Sequence, residues 1–184
     1  YDNGSNSSDP IFLITGGIKT FTMENCNIHD NTASTKAGVC IDNVLADGST
    51  AISIKNSQIS NNTSTAQYSG FYVADTTNAL GSLSIENSQF NGNTSVGYAG
   101  LSIEKISTAN KLSLNKVDVC ENNSKEGDYS GFCVASGTIN NASFTNTNIN
   151  SNKGKSYTGL MFKGTCGESY VENTLSVSNC EICD

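Results

Sequence analysis

Residues 54–62 read IKNSQISNN, and residues 85–93, thirty-one positions further on, read IENSQFNGN. Near-duplication at a fixed distance is the mark of a repeat architecture, so the period is sought along the whole chain before any local element is assigned. The Asn that opens the core of the motif, Asn56 and Asn87, has equivalents at Asn25, Lys116, Asn146 and Asn179, spaced 31, 31, 29, 30 and 33 residues apart. A second anchor agrees independently. Gly38, Gly70, Gly100, Gly131 and Gly159 each precede an apolar-x-apolar triplet, at spacings of 32, 30, 31 and 28.

Within each unit the apolar residues alternate, which is the period of a strand rather than of a helix. One column is Phe21/Met23, Ile52/Ile54, Leu83/Ile85, Leu112/Leu114, Ala142/Phe144 and Leu175/Val177. A second is Ile28, Ile59, Phe90, Val119, Ile149 and Ile182. The third is Val39/Ile41, Phe71/Val73, Leu101/Ile103, Phe132/Val134 and Leu160/Phe162. Three short strands per unit of about thirty residues describe one coil of a parallel β-helix. A single coil cannot cover its own apolar side chains, but a neighbour about 4.8 Å away pairs every strand and buries the column. Parallel crossovers are nearly always right-handed, so the expected fold is all-β, a right-handed parallel β-helix with five full coils and a partial coil at each end. A propeller needs about forty residues and four antiparallel strands per blade, and its hairpin turns are missing.

The expected organisation is one β-helix domain over residues 1–184, a piece of a longer protein. Residues 1–10 are read as a tail, 11–19 as a partial coil, 20–174 as five coils and 175–184 as an incomplete last coil. The tetrapeptides Ile28–Asn31, Ile59–Asn62, Phe90–Asn93 and Ile149–Asn152 resemble the F-x-x-N element of chlamydial polymorphic membrane proteins. The Gly-apolar triplets are similar to their G-G-A-[ILV] element, with Ala37, Ser69, Ala99, Ser130 or Thr158 in place of the first Gly. The resemblance covers residues 20–162 and implies a surface-protein architecture. Pectin-lyase-like enzymes share the expected architecture as well.

Composition narrows the function classes. Only 15% of residues are charged, the net charge is −7, and all ten basic residues are lysine, so the basic surface of a nucleic-acid binder is not expected. No apolar run approaches a membrane-spanning length; the densest is IFLI at 11–14. Seven cysteines with a single histidine point to disulfides in an oxidising, extracellular setting rather than to zinc, and no cofactor or metal site is expected. The sequons at Asn3, Asn6, Asn61, Asn62, Asn93, Asn122 and Asn141 agree with secretion.

Several columns are candidates for function. Asn31, Asn62, Asn93, Asn122 and Asn152 fall where the second strand turns, and short amides there satisfy turn backbone groups and one another. Three of the five are also sequons, so Asn93 and Asn122 stand as glycosylation candidates beside Asn61 and Asn141, the better placed pair. Tyr68, Tyr98, Tyr129 and Tyr157 lie two residues before a Gly, with Lys36 in the first coil, and their rings are expected to stack at aromatic-pair distances. The stripe either braces the edge or docks a glycan or a protein. Thr22, Ser53, Ser84, Ser113, Ser143 and Ser176 form an outer hydroxyl row, but Glu24, Lys55, Glu86 and Lys111 share that face, which favours a solvated sheet over an ice-binding one.

Catalytic groups do not cluster. A polysaccharide hydrolase needs two carboxylates on one face. Asp42, Asp75, Glu104 with Lys105, and Lys163 are scattered, arginine is absent as a carboxylate clamp, and His29 beside Asp30 is read as having no nucleophile in register. Cys26 and Cys180 are equivalent inward positions, Cys40 and Cys133 equivalent outward ones, and Cys120 and Cys183 equivalent; Cys166 follows the last Gly strand. Bonds are expected only within or between adjacent coils, because the Cα atoms must come within about 7 Å. Cys180-Glu-Ile-Cys183 lacks the helix N-terminus of a redox site. The expected function is therefore an extracellular structural or adhesive module, not an enzyme, whose partners are other subunits assembling end to end or surface glycans. A carbohydrate-binding stripe and, behind it, a polysaccharide lyase or hydrolase are the rivals.

Overall fold

The computed structural model describes residues 12–106, 111–127, 129–139, 141–163 and 174–183. Among these residues there is no helix, and every strand pairing is parallel. The chain winds as a β-solenoid of about five turns. The first strands of successive coils, Thr20–Glu24, Ala51–Lys55, Ser82–Asn91, Lys111–Asp118, Asn141–Thr145 and Thr174–Ser178, stack in one sheet. The third strands, Phe12–Ile14, Val39–Ile41, Phe71–Val73, Leu101–Ile103, Phe132–Val134 and Leu160–Phe162, form a six-stranded sheet. Register is strict: Phe21, Ile52, Leu83, Leu112 and Ala142 face one another rung by rung, as the column reading requires.

Two features were not legible in the columns. A fourth, two-residue β segment lies between the second and third strands, at Thr32–Ala33, Thr63–Ser64, Thr94–Ser95 and Asn123–Ser124. A further apolar column follows the third strand, where Val44, Leu80 and Ile106 are buried and Ile18 packs alongside. The core is otherwise the expected one. Ile52, Leu83, Leu112, Ile59, Phe90, Phe71, Leu101 and Phe132 are all at most 2% exposed. Ala142 breaks the size of its column next to Phe144, whose ring packs against Phe132 and Phe162 with centroids 5.9 and 5.7 Å away, so a small residue offsets a large one.

The corners explain the quoted motif. Asn25, Asn56, Asn87, Lys116, Asn146 and Asn179 all adopt left-handed backbone, with φ of 48–55°. Asn tolerates that conformation better than other side chains, whereas Lys116 adopts it against its preference. The next residue inward closes the corner. Ser57 Oγ donates to Lys55 O at 2.7 Å and accepts the Cys26 N–H of the neighbouring coil at 3.2 Å. Cys26 and Cys180 occupy this same column, and their thiols donate to Glu24 O and Ser178 O, each at 3.3 Å. A thiol thus replaces a hydroxyl in this corner, whereas Val117, in register with Ser88, fills the same position with no donor at all.

The second corner holds the asparagine ladder. Asn93 Oδ1 accepts from Asn62 N at 3.1 Å and Asn62 Nδ2 at 3.0 Å. Asn93 Nδ2 donates to Ile59 O and to Asn122 Oδ1, each at 3.0 Å. The same pattern links Asn31 to Asn62 and Asn122 to Asn152. These amides are 0–6% exposed, and in Asn93 all four hydrogen-bonding positions are filled. The residue just before each ladder Asn is a second left-handed position, at Asp30, Asn61, Gly92, Glu121 and Ser151. At the third corner the coils come closest: a Cβ on Gly70 or Gly100 would collide with the main-chain oxygen of the next coil. Only glycine allows that approach.

Asn93→Ala is expected to cost roughly 3 kcal/mol or more in urea unfolding, because about 1–3 kcal/mol is lost for each buried group left unsatisfied. Lys116→Asn is expected to act in the opposite sense, raising stability by about 0.5–1 kcal/mol by relieving the left-handed backbone. Equal midpoints for wild type and Lys116→Asn would contradict that account.

Candidate functional site

The tyrosine column forms as a ladder. Centroids of Tyr68–Tyr98, Tyr98–Tyr129 and Tyr129–Tyr157 are 5.4, 4.9 and 5.4 Å apart, the last two pairs nearly parallel at 18° and 10°. Lys36 Nζ lies 6.0 Å from the Tyr68 ring and ends the stack with a cation. Tyr72, from the third strand, joins it, stacked on Tyr68 at 3.8 Å. Its hydroxyl bonds Glu104, and burial together with that carboxylate pushes the Tyr72 phenol upward. Burial and the Glu104 charge likewise raise Tyr98. Most ring faces are turned to one another, so the stripe offers edges to solvent. Tyr157 alone of the four is largely exposed, at 46%.

Cys40 and Cys133 do point outward from the third strand, yet they are 1% and 2% exposed, as are Tyr72 at 3% and Ser102 at 2%. Tyr68 and Tyr98 pack on the Tyr72 ring, and Lys36 reaches Asp42 beside Cys40 on that outer face. Burial pushes both thiols up to about 12. Cys40 Sγ also donates to Asp42 Oδ1 at 3.0 Å, beside a 2.7 Å Lys36–Asp42 ion pair. Burial opposes both charges of that pair, but their mutual bond prevails, holding Lys36 above and Asp42 below the usual ranges. A thiol that stays protonated is no nucleophile.

The remaining scattered carboxylates are also spent on the scaffold. Asp75, 6% exposed, accepts from Thr77 N, Asn78 N, Val44 N and Asn78 Nδ2 at 2.8–3.1 Å. Burial disfavours its charge, yet these donors outweigh it and hold the carboxyl below its ordinary range. Lys105 Nζ donates to Thr77 O at 2.9 Å. His29 does have a residue of nucleophilic type in register, contrary to the sequence reading: Ser60 faces it one coil on. The imidazole bonds Asp30 at 2.6 Å through Nδ1, but no hydrogen bond joins it to Ser60, so the three do not form a relay.

The outer hydroxyl row is continuous, since Thr22, Ser53, Ser84, Ser113, Ser143 and Ser176 are all in register. Lys55 and Glu86 meet across it at 3.4 Å, half-exposed, as on an ordinary solvated sheet. The sequons divide sharply. Asn61 and Asn141 are exposed, whereas Asn93 and Asn122 are fully buried with their amide nitrogens committed to the ladder. A glycan at Asn93 or Asn122 is incompatible with this fold, because each amide nitrogen is buried and already donates within the ladder.

Cys26, Cys40, Cys120, Cys133 and Cys180 are free thiols, so no disulfide joins any two of these five. The reason is register. Cys40 and Cys133 are separated by the Tyr72 and Ser102 rungs, and Cys183 pairs with Asn150 rather than with a cysteine. Cys166 and the sequons at Asn3 and Asn6 lie outside the described residues. No cluster of metal-ligating side chains occurs among the described residues.

One feature has no counterpart in the sequence reading. A polar trough runs along the first corner across four coils, lined by Asn25, Asn27, Asn56, Gln58, Asn87 and Gln89 among others. Asn87 Nδ2 donates to Asn56 Oδ1 at 2.8 Å, and Gln89 reaches Asp118 at 3.5 Å. The repeat made these residues look like scaffold, and only the winding shows that they share a concave face.

No family model, curated protein or solved structure matches this chain.

The Asp75 carboxylate makes a specific acid sensitivity. A carboxyl whose pKa is depressed in the fold contributes stability that is full above its unfolded value, about 3.9, and is lost as pH falls through the folded value. Asp75→Asn is therefore expected to be less stable than wild type at pH 7, with the difference shrinking below about pH 4 in urea unfolding series. A difference that stays constant from pH 7 to pH 2 would assign the loss to shape rather than charge.

Proposed function

We propose that this chain is a non-catalytic structural and adhesive β-helix module of a secreted or surface protein. The observation that carries the reading is how its reactive side chains are used. Asp42, Asp75, Glu104, Cys40 and Cys133 are each bonded or buried within the scaffold, so none is left poised against a substrate. The repeat resemblance to chlamydial polymorphic membrane proteins supports a surface setting, and the exposed sequons Asn61 and Asn141 agree with secretion. Phe12 in the first described rung and Val177 and Ile182 in the last are 42–48% exposed.

A second reading, glycan docking on the tyrosine stripe, draws on the open ring of Tyr157. Stacking on a sugar needs an exposed face, and the inner rings present edges.

The test is adhesion of the purified chain to glycan-coated and cell-derived surfaces, with parallel assays for depolymerisation of acidic and neutral polysaccharides. Retention without depolymerisation is expected, and release of reducing ends or unsaturated products would overturn the non-catalytic reading. Tyr157→Ala is expected to reduce adhesion about tenfold if the stripe docks the glycan, and to leave it unchanged if the stripe only braces the edge.

A further inference from the structure

The polar trough on the first corner is lined almost wholly by polar side chains. It is an open groove of about 490 Å³ whose walls are amide columns repeating with the coil spacing. In the buried ladder Asn62, Asn93 and Asn122 have every amide position filled, but the trough amides do not. Asn25, Asn27 and Gln58 make no side-chain hydrogen bond among the described residues, while Asn56 and Asn87 are joined by one bond only. Each free amide offers two donor hydrogens and an acceptor oxygen. Neighbouring rungs bring these groups back about every 4.8 Å in a straight line.

We propose that this trough binds a neutral, extended oligosaccharide lying along the solenoid axis, a site that rests on the adhesive reading above and gives it a ligand class. A hydroxyl both donates and accepts, as an amide does, so a polyhydroxylated chain meets a matching partner on every rung. Charge argues against an anionic polymer, because Lys116 and Asp118 offset each other at one end and the chain carries −7 overall. A peptide is a poorer match. The trough holds no apolar anchor pocket, and the strands flanking it in the middle coils are paired on both sides, so no edge is free for strand addition. Without an aromatic face each site binds weakly, and a repeated row of sites on a displayed surface gains by multivalency.

The test uses the whole chain, labelled with ¹⁵N, titrated with soluble hexamers of β-glucan, mannan, xylan and galactan while the side-chain amide signals are followed. Saturable shifts of Asn25, Asn27 and Gln58 with at least one hexamer are expected. Gln58→Ala is expected to weaken that binding about tenfold, the loss of one or two good hydrogen bonds, while Tyr129→Ala leaves it unchanged. Gln58 sits on the outer face of a strand, and Gln58→Glu provides a second variant of nearly the same shape. No shift with any hexamer at millimolar concentration overturns the site. Shifts confined to residues around the tyrosines also overturn it, while leaving the adhesive reading standing. A chain that adheres to no surface at all instead removes the reading on which the site rests.

Discussion

One amide per coil ties this solenoid together. The ladder Asn accepts the main-chain N–H of its equivalent in the preceding coil and donates to a carbonyl three residues before that equivalent, so it sets the pairing of two coils at a point where no regular ladder of strand bonds runs. Burial makes the contact strict, since none of its groups has water as a substitute. The strands on either side inherit their register from it, and with register fixed each apolar residue meets an apolar neighbour rather than the opposite face. The glycine approach at the third corner and the left-handed Asn at the first are local conditions for the same stacking.

Much of this was legible because stacking turns a three-dimensional contact into a sequence period. Ile52 above Phe21 and below Leu83 is a contact that a spacing of 31 residues announces. The amide ladder was legible for the same reason, as was the spacing of the tyrosine rings. The column of Val44, Leu80 and Ile106 was not, because it follows loops of unequal length and has no constant offset. Nor was the left-handed position before each ladder Asn, where Asp30, Asn61, Gly92, Glu121 and Ser151 share a backbone angle but no side-chain chemistry.

Alternation gives the direction of an outward side chain but not what that side chain meets. Cys40, Tyr72, Ser102 and Cys133 point away from the core, yet all four are buried, and Tyr68 and Tyr98 pack on the Tyr72 ring. Strand period states the side of the sheet, and a corner side chain long enough to fold back decides whether that side is wet. The polar trough is the converse case. Its residues repeat as regularly as any scaffold column, but the corner leaves their amides open. Regularity in a solenoid therefore marks geometry shared by all coils, whether it serves burial or presents a surface.

The first-corner residue and the ladder Asn stand six residues apart in every complete coil, at 25 and 31, 56 and 62, 87 and 93, 116 and 122, and 146 and 152. The distance from each Gly to the next first-corner residue runs instead through 18, 17, 16, 15 and 20. The step from each ladder Asn to its Gly varies as well, through 7, 8, 7, 9 and 7, so the coil consists of a ruler of constant length and a slack arm, the whole remainder of the coil, that absorbs the insertions and deletions. Growth or trimming of the arm leaves the ruler untouched, so new surface can be added on one side of the molecule while the opposite side keeps its pitch.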